Sequence, residues 1–97
     1  MKRALPEFIT STGSNFKKRN YDIDEKKRLI QYMNTAGELC AAAGYVDDLV
    51  TGKETRIENG GYHDGFYEWS TQEIYHIDKY NAAVSDEFLK RALEKVG

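Results

Sequence analysis

Few residues in this chain are of a type that could carry catalysis: His63, His76, Cys40, the pair Asp47-Asp48, and Asp64. A catalytic centre needs a nucleophile, a tuned acid or base, and a group to hold transition-state charge. His63-Asp64 falls where a turn is expected, so its imidazole reads as solvated. His76 falls on an expected helix shortly before Asp78 and reads as a surface or edge residue. Neither histidine stands at a metal-ligand spacing from Cys40 or from the other. Cys40 lies on what reads as the apolar face of a helix, which predicts a buried, inert thiol. Thr51-Gly52-Lys53 is far short of a phosphate-cradling loop. Asp47-Asp48 and Asp64 lack the alternating oxygen ligands of a calcium loop. These residues predict no enzyme, no metal and no cofactor.

Binding is better served. The net charge of −2 is unevenly spread, since residues 1–20 sum to +4 and the remainder to −6. Acids cluster over 47–68, beside aromatic residues of the kind that anchor interfaces. The candidate partner-binding residues are Asp47, Asp48, Glu54, Glu58, Tyr62, Asp64 and Glu68. Such a surface repels nucleic-acid phosphates and attracts a basic protein surface. The bland alternative is a solvated acidic face that serves solubility. The run Lys17-Lys18-Arg19 invites a different reading, a small nucleic-acid-binding regulator, but three consecutive bases are a weak signal.

The elements that must position these residues centre on 62–81, YHDGFYEWSTQEIYHIDKYN. Asp64-Gly65 predicts a tight turn, and Phe66-Tyr67-Glu68-Trp69 a short aromatic strand. Ser70 and Glu73 form the sequence of a capping box, with Trp69 and Ile74 at the positions of a hydrophobic staple. A strand should therefore run directly into a helix over 71–81. Alternation along the strand puts Tyr67 and Trp69 on one face, inward, and leaves Glu68 outward.

Before this stretch, Leu29, Ile30, Met33, Ala36, Leu39, Cys40 and Ala43 recur at three- and four-residue steps. They predict one long helix, capped by Asp22 or Asp24 and ended by Gly44. Gly37 within it would permit close packing of a neighbour. Strands are expected near 45–50, 54–58 and 66–69, in a small antiparallel sheet that needs the long helix across one face. Ser85 opens a last helix that buries Phe88, Leu89, Ala92, Leu93 and Val96. The expectation is an α+β domain: one long helix in the N-terminal half on a small antiparallel sheet, then two shorter helices. Residues 1–20 read as a basic extended arm, with Phe8-Ile9 a short edge strand or apolar anchor, and 21–97 as a single globular domain.

No run of about eighteen apolar residues occurs, which predicts no membrane span. The N-terminus has no apolar core of a secretory signal, and a lone cysteine fits a reducing compartment. The cytoplasm is expected. A homo-oligomer is compatible with the aromatic strip.

The segments DDLVTGKET, YHDGFYEWSTQEIYHIDKYN and SDEFLKRAL together resemble a group of short bacterial proteins of the immunity or toxin-inhibitor kind. The resemblance covers about the last half of the chain. It rests on Asp64-Gly65, Tyr67-Glu68-Trp69, the helix from Ile74 to Tyr80, and Glu87-Phe88. Ser85-Asp86 stand where that group often has a proline. The resemblance implies a toxin-neutralising protein without catalytic residues. Alternatives are a phage or mobile-element accessory protein that blocks a host defence complex, and the small nucleic-acid binder above.

Overall fold

A computed structural model gives the fold over residues 1–8 and 16–96. In chain order the elements are β1 (Lys2–Arg3), α1 (Ile23–Thr35), β2 (Glu38–Asp47), β3 (Glu54–His63), β4 (Tyr67–Ser70), α2 (Thr71–Tyr80) and α3 (Asp86–Val96). The four strands lie in the order β1-β4-β3-β2. β1 runs parallel to β4, and the other pairings are antiparallel.

The aromatic strand organises the core. Trp69 and Tyr67 point to the same face of β4. There Trp69 packs on Phe88 of α3 at 5.2 Å and Tyr67 on Phe88 at 5.1 Å. The Trp69 indole N–H donates to the Met33 carbonyl of α1 at 3.0 Å, so its polar atom is satisfied inside the core. Tyr62, the register partner of Trp69 on β3, stacks on its ring, and Glu68 is exposed as alternation requires. α1 and α3 thus meet the sheet through Tyr32, Met33 and Phe88 around Trp69, and α2 packs against β2, β3 and β4.

The local punctuation is where the sequence puts it. Asp22 with Glu25 caps α1, and Ser70 with Glu73 caps α2, each as a complete capping box. Ser85 Oγ accepts the Phe88 amide at the start of α3 at 3.2 Å. Asn81 ends α2 in the left-handed conformation, φ 61°.

Three expectations are corrected. The first helix stops at Thr35, and the residues expected to complete it form β2 instead. The interruption is at Gly37, where a Cβ would lie 2.7 Å from the His63 carbonyl oxygen. The chain crosses β3 there, and only glycine fits. The helical spacing of Leu39, Cys40 and Ala43 is accidental, because among the described residues no neighbour covers that face and all three are exposed. Nor is the helix the first element, since β1 precedes it and the rest of the sheet follows. The sheet itself is mixed rather than antiparallel, because Lys2 and Arg3 add a parallel edge beside Tyr67 and Glu68.

Gly44, expected just past a helix end, lies within β2 at φ 90°. There the four-residue step from Ala41 to Tyr45 spans only the step from Gly60 to Glu58, and β3 makes the compensating offset between Glu54 and Glu58. These are bulge-like irregularities of the kind that twist a ribbon.

The N-terminal segment is built into the molecule. Ala4, Leu5, Phe8 and Phe16 belong to the core, and Lys18 bridges to Ala82 in antiparallel fashion. Of the Phe8-Ile9 pair, Phe8 is a buried anchor, and Ile9 lies outside the described residues.

Candidate partner-binding surface

The seven candidate residues divide sharply. Asp48 is 3% exposed. Its Oδ2 accepts the hydroxyls of Tyr75 at 2.7 Å and Tyr80 at 2.6 Å, and its Oδ1 accepts the amides of Val50 and Thr51. Burial alone would raise its pKa. The Tyr80 and Tyr75 hydroxyls and the two amides outweigh that and hold the carboxyl well below the usual carboxylate range. Asp48 fixes the β2–β3 turn to α2.

Asp64 has the same design at the other end of β3. Its Oδ2 accepts the Tyr32 hydroxyl at 2.6 Å and Arg91 Nε at 2.9 Å, while its Oδ1 accepts the amides of Phe66 and Tyr67. Burial pushes its pKa up. The Tyr32 hydroxyl, the two amides and the Arg91 guanidinium prevail and bring it down to about 2. Its side chain is 4% exposed. Both carboxylates have their acceptor sites filled from within and are tertiary fasteners.

The other acids face solvent. Asp47, Glu54, Glu58 and Glu68 are exposed, and Tyr62 is half-buried against Trp69. Strand register sets Asp47 opposite Glu54 and Tyr45 opposite Glu58. Like charges directly opposite on paired strands are unfavourable, so the Asp47–Glu54 pair does nothing for the fold. Nearer the body of the domain, one row crosses all four strands: Arg3, Glu68, His63 and Glu38. His63 Nε2 lies 3.6 Å from Glu38, which sequence reasoning did not single out.

Arg3, Glu68 and His63 of that row line an open hollow of about 330 Å³ together with Cys40, Trp69, Ser70 and Glu73. Glu73 is 3% exposed, and its pKa is raised, chiefly by burial and against the pull of Arg3 at 3.3 Å. Cys40 is exposed on β2, which corrects the expectation of a buried thiol. Among the described residues no group of three or more His, Cys, Asp and Glu is arranged to hold a metal ion.

His76 also departs from expectation, being fully buried. The Leu49 amide donates to its Nε2 at 2.9 Å. Nδ1 lies 2.7 Å from the Gln72 carbonyl and must therefore carry the ring proton. Phe8, Phe16, Tyr75 and Tyr80 pack around the neutral ring. With both nitrogens engaged by backbone, it is a core residue.

The surface feature that sequence reasoning missed is the first part of β2, residues 38–44, since the strand expected near 45–50 catches only its end. It lies at the edge of the sheet, and every residue from Glu38 to Tyr45 is exposed. Leu39 is 57% exposed and Tyr45 49%, and Ile57 on β3 is 40% exposed. A short apolar run bounded by Gly37 and Gly44 was the available sign of a strand. Its helix-like spacing masked it.

No helix among the described residues is long and apolar enough to cross a membrane. Comparisons of the chain with protein-family models, curated proteins and solved structures find no match.

Proposed function

We propose that this chain is a small non-enzymatic binding protein that captures a basic protein surface, in the manner of an immunity or inhibitor protein acting in the cytoplasm. The observation that carries this reading is the β2–β3 ribbon, on which exposed acids accompany exposed apolar side chains. Glu38, Asp47, Glu54 and Glu58 share it with Leu39, Tyr45 and Ile57. Acidic charge speeds encounter with a basic partner, and desolvated apolar and aromatic groups hold it. Asp48 and Asp64 serve this surface only indirectly, by fixing the two ends of β3.

The basic N-terminal segment gives less support to nucleic-acid binding. Lys2, Arg3, Lys17 and Arg19 each lie within 3.4 Å of a carboxylate, on Glu87, Glu73, Glu7 and Asp86 respectively. A phosphate backbone would have to displace those acids.

The test is capture from native-host lysate at low salt, with wild-type protein and a variant carrying Asp47→Lys, Glu54→Lys and Glu58→Lys. A protein partner retained by the wild type, released by salt and lost from the folded variant is the expected result. Equal retention by both would remove the electrostatic basis of the reading, and co-purifying nucleic acid would redirect it to the N-terminal segment.

A further inference from the structure

The two edges of the sheet are treated in opposite ways. β1 is two residues long and consists of Lys2 and Arg3, both engaged in ion pairs. Short length and basic charge are the usual means of blunting a sheet edge. β2 is ten residues long, reads ELCAAAGYVD, and has no Lys, Arg or Pro; its irregularities fall between Ala41 and Tyr45 and between Tyr45 and Asp47, and they leave Glu38–Ala41 in regular register with β3. Among the described residues its only strand neighbour is β3. Alternate backbone N–H and C=O groups of a strand point away from its one neighbour, so β2 offers a row of unpaired donors and acceptors. The side chains beside that row are small at Ala41, Ala42 and Ala43 and apolar at Leu39 and Tyr45, so another backbone can approach closely. Such an edge is a template for strand addition.

We propose that β2 is a docking edge for an extended, basic segment of another protein, which adds to the sheet as a fifth strand. This rests on the acidic-surface reading above and specifies the mode of binding. The choice of occupant follows from charge. Glu38 and Asp47 mark the two ends of β2, and Glu54 and Glu58 flank it on β3, against only Lys53 and Arg56 on the same ribbon and its turn. Lysines or arginines on an incoming strand would meet these acids, while its backbone pairs with the alanine stretch. A second copy of this chain would instead bring two acidic ribbons side by side, and like charges across a strand pair are unfavourable.

The test uses a fluorescein-labelled synthetic peptide of about ten residues, a length that matches β2, alternating lysine with valine or threonine. Its control is the same peptide with alternate amides N-methylated, which keeps the charge and removes the backbone donors along one edge. The unmodified peptide should bind by fluorescence anisotropy, and N-methylation should weaken it by about tenfold or more. Amide protons over residues 39–45 should gain protection from exchange when the unmodified peptide is bound.

Ala42→Pro should abolish binding, because it removes a donor in the offset of β2, outside the residues registered with β3. Ala43→Lys, which places a guarding charge on the edge, should also weaken binding and keeps the test alive if the proline variant fails to fold. Equal binding of both peptides would overturn strand addition while leaving charge capture intact. No binding of the unmodified peptide would overturn the inference. A dimer by sedimentation that Ala43→Lys dissociates would make the occupant a second copy and overturn the choice of a basic segment.

Discussion

The hydroxyl of Tyr80, the last residue of α2, donates to the carboxylate of Asp48 at 2.6 Å across 32 residues of sequence. Tyr75, five residues earlier on the same helix, donates to the same oxygen. The two phenols clamp the β2–β3 turn to α2 through one buried anion, and Asp48 in turn raises the Tyr80 pKa. A charge-assisted hydrogen bond is roughly twice as strong as a neutral one, so these contacts carry much of the turn's anchoring.

Asp48→Ala should therefore destabilise the protein by about 2–4 kcal/mol, since it strands two phenols and two amides at once. Asp47→Ala, one residue away and exposed, should stay within about 0.5 kcal/mol of wild type. Urea unfolding followed by the Trp69 signal measures both. Equal effects at the two positions would mean that Asp48 does not act as the clamp.

Asp64 gives the chain a definite acid response. Its folded-state pKa of about 2 lies below the ordinary value of about 3.9, so folding favours the ionised carboxylate. That stabilisation is complete above about pH 4 and is lost as pH falls through about 2. Asp48 shifts in the same direction. Glu73, raised by burial, works against the folded state when ionised and is relieved by acid. The urea midpoint of the wild type should fall across that window, and Asp64→Asn should be less stable at neutral pH with a flatter dependence between about pH 4 and 2. Identical slopes would sink the assignment.

Cys40 should react with an aromatic disulfide reagent in native buffer, one thiol per chain, at a rate close to that in denaturant. Its exposure on an edge strand leaves nothing to exclude the reagent. A thiol silent until urea is added would contradict the strand assignment of residues 38–47. The same labelling, repeated with the basic peptide bound, reports occupancy of the edge.

The sequence by itself determined the features whose causes are local. The capping boxes Asp22/Glu25 and Ser70/Glu73, the strand-to-helix junction at Trp69-Ser70, and the inward face of Tyr67 and Trp69 each need only neighbours a few residues away. Wherever two periodicities or two equal charges competed, only the tertiary structure decided. Leu39, Cys40 and Ala43 satisfy a helical spacing, yet they form a strand because Gly37 must pass the His63 backbone and, among the described residues, no element covers the far side. Asp47 and Asp48 are adjacent and chemically identical. One is solvated and the other buried because Tyr75 and Tyr80 return to meet only the second, and Asp64 is likewise claimed by Tyr32 and Arg91. Distant partners decide which acids remain free to bind, because a carboxylate left without them stays in water, where its charge is best solvated.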